Sequence, residues 1–123
     1  MNLGFALIGI RDASGINHYW FIANDPALRG NVALLVNVSS QPKWGPWDKT
    51  CPMKRGDHWK ITHDSFMYYE YARPMTVADL QIGVASGLYQ LLAPHLAPAV
   101  AARVKAGTYA SPFIPDGVKP LRT

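Results

Sequence analysis

The chain has 123 residues, 49% of them hydrophobic, which fits one domain with a substantial core rather than several domains. Its formal charge of +4, from 12 basic and 8 acidic residues, is a mild excess that excludes a polybasic protein and leaves phosphate-bearing or acidic partners open. One cysteine, Cys51, excludes an internal disulfide and favours a reducing compartment.

Residues 3–10 are apolar but too few to span a bilayer, and they lack the basic flank of a signal peptide. They read as a buried strand in a cytoplasmic protein with no membrane association. Residues 19–23 give a second strand, separated from the first by a hairpin or loop signal at residues 11–15 (RDASG). Residues 24–30 form another turn, with Pro26 and Gly30 as breakers. Residues 32–38 are the strongest strand, apolar nearly throughout and so expected to be buried on both faces. That strand ends in Ser39 and Ser40, where a hydroxyl can face a groove and bond a phosphate; serines also end strands for purely local reasons.

Residues 41–50 hold two prolines, a glycine and two tryptophans, a loop with bulky anchors. Trp44 and Trp47 alternate with Lys43 and Lys49, placing stacking faces beside positive charge, the combination that holds single-stranded nucleic acid. Tryptophans folded back as a lid on the core are the competing reading. Over residues 41–60, five basic residues (Lys43, Lys49, Lys54, Arg55, Lys60) face two acidic ones (Asp48, Asp57), and a second basic excess lies over residues 103–123.

The densest chemistry is in residues 51–72, CPMKRGDHWKITHDSFMYYEYA. A turn at residues 55–57 leads into strand-like runs at residues 59–61 and 65–71, which places His58 and His63, with Asp57 and Asp64 beside them, near a sheet rim. Histidine can take one proton and give another near neutral pH. His58 and His63 would face opposite sides of one regular strand, so their convergence requires a turn or bulge between them. His18, at a strand start, is the third candidate, while His95, between Pro94 and Leu96, reads as structural. For each histidine a hydrogen-bonded structural place is the alternative. The spacing of Cys51, His58 and His63, C-x6-H-x4-H, matches none of the usual zinc patterns, and a fourth ligand would have to come from His18 or an aspartate. No metal site and no cofactor are expected. A nucleophilic Cys51 is disfavoured by Pro52 after it and by the lack of a helix N-terminus presenting it.

After Pro74 the pattern changes. Thr76 is a good N-cap, with Asp79 three residues on. Val77, Leu80, Val84, Leu88, Leu91 and Leu92 keep a helical period, predicting one amphipathic helix over residues 76–92 with Leu80, Val84, Leu88 and Leu91 buried. Gly83 and Gly87 weaken it, at about 1 kcal/mol each. Pro98 opens a second, short helix through Val104, closed by Gly107, and the tail from Ser111 reads as irregular. The chain thus divides into a β portion (1–73), a helical portion (76–107) and a tail (108–123), an α+β domain best matched by a small barrel capped by helices.

HYWFIAN, ALLVNVSS and the 51–72 stretch together resemble the PemK/MazF-like plasmid-maintenance toxins, especially a divergent bacterial and phage branch. The pattern GDH-x2-I-x-H-x-S-x3-Y-x2-A falls here on Gly56, Asp57, His58, Ile61, His63, Ser65, Tyr69 and Ala72. The likeness covers residues 16–75. It implies an SH3-like barrel with a C-terminal helix, a homodimer, a cognate antitoxin partner, and a metal-independent endoribonuclease acting on single-stranded RNA. In such an enzyme the RNA 2′-hydroxyl attacks its own phosphate, which calls for a base, an acid and a stabiliser of the charged intermediate. Where the toxins carry an arginine early in the first long strand and a threonine at the end of the next, this chain has His18 and Ser39. The missing arginine must be replaced by Lys54, Arg55 or a second histidine. The leading reading therefore takes His18, Ser39, His58 and His63 as the catalytic candidates, and Lys43, Trp44, Trp47, Lys54, Arg55 and Lys60 as the RNA contacts. The rival reading is a non-catalytic binding module on the same barrel, antitoxin-like or a phage-encoded inhibitor of a host protein or nucleic acid. A metal-dependent hydrolase is the third.

Overall fold

The computed structural model describes residues 1–11 and 17–123, residues 10, 11 and 17 by their backbone alone; most of the turn expected at residues 11–15 lies outside the described part. Six strands form one antiparallel sheet: β1 (Ala6–Arg11), β2 (Asn17–Ile22), β3 (Val32–Ser40), β4 (Pro52–Met53), β5 (Ser65–Thr76) and β6 (Gln90–Leu91), in the order β4-β5-β3-β2-β1-β6. The α+β class is as the sequence predicts. Among the described residues the sheet stays open, with β4 and β6 as its edges, rather than closing into a barrel.

Strand β3 is central because both of its faces are apolar. Leu34, Val36 and Val38 enter one core with Phe21, Met67, Tyr69 and the buried residues of helix α2 (Pro98–Ala110). Ala33 and Leu35 enter a second core on the other face, with Leu7, Trp20, Ile22 and Leu80 of helix α1 (Val77–Ala85). Successive strand residues point to opposite faces, so a helix on each side of the sheet is what this pattern requires.

Several elements depart from the sequence reading. Residues 59–61 are a turn, in which the Ile61 amide donates to the His58 carbonyl, and not a strand. Strand β5 runs on through Pro74 to Thr76. Its outer neighbour β4 covers only Ser65 and Phe66, so the outer edge at Pro74 has no strand to miss a proline N–H. Helix α1 begins where expected, with the Thr76 hydroxyl accepting from the Asp79 amide at 3.1 Å, but it stops at Ala85 instead of residue 92. Gly87 then takes a φ of 80°, which glycine adopts at no steric cost, and the chain turns back into β6. Tyr89 folds onto Gly83, whose missing side chain leaves room for the ring. Leu88 is consequently 62% exposed while Leu80 is fully buried. Helix α2 passes Gly107 without ending; the glycine there serves packing, since it lies against the Tyr69 hydroxyl with no space for a side chain. The tail contains a 3-10 helix at Asp116–Leu121. No helix among the described residues is long and apolar enough to cross a membrane.

Candidate functional site

The register of β3 on β5 sets Ser39 opposite Phe66 and Ser40 opposite Ser65 at the end of the sheet. Phe66 and Tyr68, two residues apart, share a face of β5. There they line a groove with a volume of about 530 Å³, bordered by Ser39, Ser40, Trp44, Trp47 and Phe113. The far wall is held by Asp48, which is buried and has both carboxylate oxygens engaged. Oδ1 accepts from the Thr50 amide at 3.0 Å, and Oδ2 accepts from the Ser111 hydroxyl at 2.6 Å. That pair ties the 41–50 loop to the start of the tail and brings Trp47 and Phe113 to one opening.

Aromatic rings run in sequence from the groove out to Tyr71, which lies beyond its lining. Trp47 to Phe66 is 5.5 Å between centroids, Phe66 to Tyr68 is 5.0 Å, and Tyr68 to Tyr71 is 4.5 Å. Lys49 Nζ lies 5.6 Å from the Trp47 ring, and Trp44 is 87% exposed. Of the two sequence readings for these tryptophans, Trp44 does not fold back onto the core. Burial pushes the Tyr68 hydroxyl above its ordinary pKa, helped by its hydrogen bond with Tyr71, so it stays a donor at neutral pH.

At the mouth of this groove Ser40 Oγ and His63 Nε2 share a hydrogen bond of 2.6 Å, and Thr62 Oγ1 lies 3.2 Å from His63 Nδ1. Both Ser40 and His63 are exposed. The Ser65 hydroxyl donates to the His63 carbonyl at 2.9 Å and fixes the backbone beneath the ring. A solvent-facing imidazole with a hydroxyl on one nitrogen can accept or give a proton to a bound ligand. His18 precedes Tyr19, the partner of Val38, and so stands at the same end of the sheet as Ser39. It meets the Trp20 ring edge-on at 6.3 Å.

His58 is placed differently. It is 5% exposed, its Nε2–H donates to the Leu92 carbonyl at 3.1 Å, and its Nδ1 accepts from the Lys60 amide at 3.1 Å. Those partners fix the tautomer and leave neither nitrogen for a ligand. Its ring packs edge-on against Phe21 at 5.4 Å. Burial lowers its pKa, against the opposing pull of the backbone carbonyls it bonds, so the ring is neutral. The intervening turn sends His58 into the core and His63 to the rim. His95 is structural as expected, accepting from the Ala6 amide at 3.0 Å and stacking on Phe5 at 4.0 Å.

The basic residues also divide. Lys43 lies in the loop that walls the groove, and Lys54 and Arg55 are exposed on the next turn. Lys60 sits over Trp59 at 4.7 Å and over Tyr19 at 5.8 Å, away from the groove's lining. Asp57 holds that turn, accepting from the Lys54 amide at 2.9 Å and from Arg103 at 2.7 Å. Cys51 is 1% exposed, and burial raises its pKa despite the Arg103 guanidinium beside it, so the thiol stays protonated. Cys51, His58 and His63 therefore each engage a different neighbour, and among the described residues no cluster of three or more His, Cys, Asp or Glu forms. Two residues that line the groove, Phe113 and Glu70, escape the sequence reading, and of the two strand-end serines it singles out, Ser40 is the one that meets His63. Ser40 and Ser39 are alike in sequence until the register is known, and Phe113 lies some sixty residues from the loop it joins.

No protein family and no curated protein matches the chain by sequence. Solved structures do share its architecture. One is the MazE–MazF complex of Deinococcus radiodurans in its Form-II crystal, with 15% identity, a TM-score of 0.51, and coverage of 89% of this chain and 92% of the matched one. Another is the Form-III crystal of the same complex, with 17% identity, a TM-score of 0.53, and coverage of 89% and 94%. Likeness at such identity is a likeness of fold. The chain has the fold of the PemK/MazF-like toxins.

Proposed function

We propose that the chain is the toxin component of a toxin–antitoxin pair, a metal-independent endoribonuclease on single-stranded RNA, working with a cognate antitoxin and as a homodimer. The observation that carries this reading is the Ser40–His63 hydrogen bond at the mouth of an aromatic groove flanked by lysines. Bases stack on Trp44, Trp47 and Tyr68, and Lys43 and Lys49 meet phosphates, with Lys54 and Arg55 on the adjoining turn.

His63 Nε2 takes the proton of the 2′-hydroxyl, using the site where Ser40 Oγ now bonds. The 2′-oxygen attacks phosphorus, the bond to the 5′-oxygen breaks, and His18 delivers a proton to that leaving oxygen. A 2′,3′-cyclic phosphate remains on one fragment and a 5′-hydroxyl on the other. The Ser39 hydroxyl donates to the developing phosphorane charge. His58 serves the fold. The fold it shares with a MazE–MazF complex supports the toxin–antitoxin setting.

The test is incubation of the purified chain with a single-stranded RNA in excess EDTA. Cleavage to fragments with cyclic-phosphate ends is expected, and it weakens with salt as lysine–phosphate contacts are screened. Intact RNA at low salt would overturn the proposal and favour a non-catalytic groove.

A further inference from the structure

Two carboxylates line the aromatic groove, and they differ in one respect. Both oxygens of Asp48 are already bonded within the protein. Glu70 is exposed, and among the described residues no hydrogen bond or ion pair engages it. An ionised carboxylate accepts hydrogen bonds and donates none. On a surface where Lys43 and Lys49 attract phosphate, an unbonded carboxylate repels the backbone of a polyanion. It assists binding only if the ligand presents donors to it.

Around Glu70 the lining is largely aromatic. Phe66, Tyr68, Trp47 and Phe113 wall the groove, and Trp44 stands exposed at the opening. Among the four RNA bases, guanine alone carries two donors side by side on its pairing edge, N1–H and N2–H, matched to two carboxylate oxygens. Adenine and cytosine offer one amino group beside an acceptor, and uracil one N–H between two acceptors. Unstacked bases are read on these edges while lying on aromatic side chains.

We propose that the groove is a base-reading pocket selective for guanine, with Glu70 accepting from N1–H and N2–H of a base sandwiched between Trp44 and Tyr68. The inference rests on the reading of the groove as an RNA site, but not on catalysis. Glu70 sets which nucleotide is held beside Ser40 and His63.

The test uses 2′-O-methyl heptamers of uridine with a central G, A, C, U or inosine, which cannot be cut because the 2′-hydroxyl is blocked. Affinity is read from quenching of tryptophan fluorescence. The G heptamer is expected to bind about ten-fold or more tightly than the A, C and U heptamers, the size of discrimination a bidentate pair gives. Inosine, which lacks the 2-amino group, loses much of that advantage. Glu70→Gln brings G to within about two-fold of A, and, being an exposed isosteric change, leaves the fold intact. Equal affinity for all bases, a G preference that survives in Glu70→Gln, or no binding by any heptamer would each overturn the proposal. Unmethylated RNA run in parallel separates the two readings. G-selective binding without cleavage removes the nuclease and keeps the pocket, whereas cleavage without base preference does the reverse.

Discussion

Both nitrogens of His58 are engaged by backbone groups, and its ring is sealed against Phe21. Burial holds its pKa below the ordinary 6.5, as it does for His95. The unfolded chain therefore binds more protons than the folded one as pH drops through about 6.5. Stability from these histidines is fully present above that value and is lost progressively below it. Thermal melts should fall between pH 7.5 and 5.5, and His58→Gln should shrink that fall while costing about 1–3 kcal/mol at pH 7.5, because the Lys60 amide loses its acceptor and the Leu92 carbonyl keeps only the Trp59 indole N–H. A pH dependence unchanged in the variant would place the titrating group elsewhere. His63, five residues on, faces solvent and Ser40. The 51–72 stretch displayed both imidazoles equally, and residue types alone do not say which is buried. That follows from the 58–61 turn and from Leu92, a partner 34 residues away.

Element boundaries were legible where a local signal acts alone. Thr76 caps α1, and the apolar run in β3 is buried on both faces as its composition requires. The length of α1 was not legible, because the leucine period continues through Leu88 and Leu91 while the backbone does not. Gly87 in the left-handed region and Tyr89 seated on Gly83 end the helix early. Leu80 and Leu88 then part company. Leu80→Ala should cost about 2–5 kcal/mol, as for a core leucine, and Leu88→Ala within about 0.5 kcal/mol, as for an exposed one. Urea denaturation of the two variants decides it; a large loss at Leu88 would mean the helix extends to residue 92. The paired serines show the same limit in the sheet, since the registry of β3 with β5, and nothing in either residue, sets Ser40 beside His63.

At the scale of the whole molecule, three segments distant in sequence make one site: the start of β5 with His63 in the turn before it, the end of β3 with the 41–50 loop that follows it, and the start of the tail at Ser111 and Phe113. The buried Asp48–Ser111 hydrogen bond joins the last two across 63 residues. The sheet end then presents the hydrogen-bonded Ser40 and His63, a row of rings and a basic loop on one rim. The central claim is that His63, and not His58, moves the proton. It is tested most directly by the cleavage rate of one defined single-stranded RNA, in EDTA, by the wild-type chain and by His63→Ala. His63 is exposed, so the variant should melt like the wild type, while its rate falls about 100-fold or more, the usual worth of general acid–base help. A folded His63→Ala protein that cuts at the wild-type rate would contradict the account.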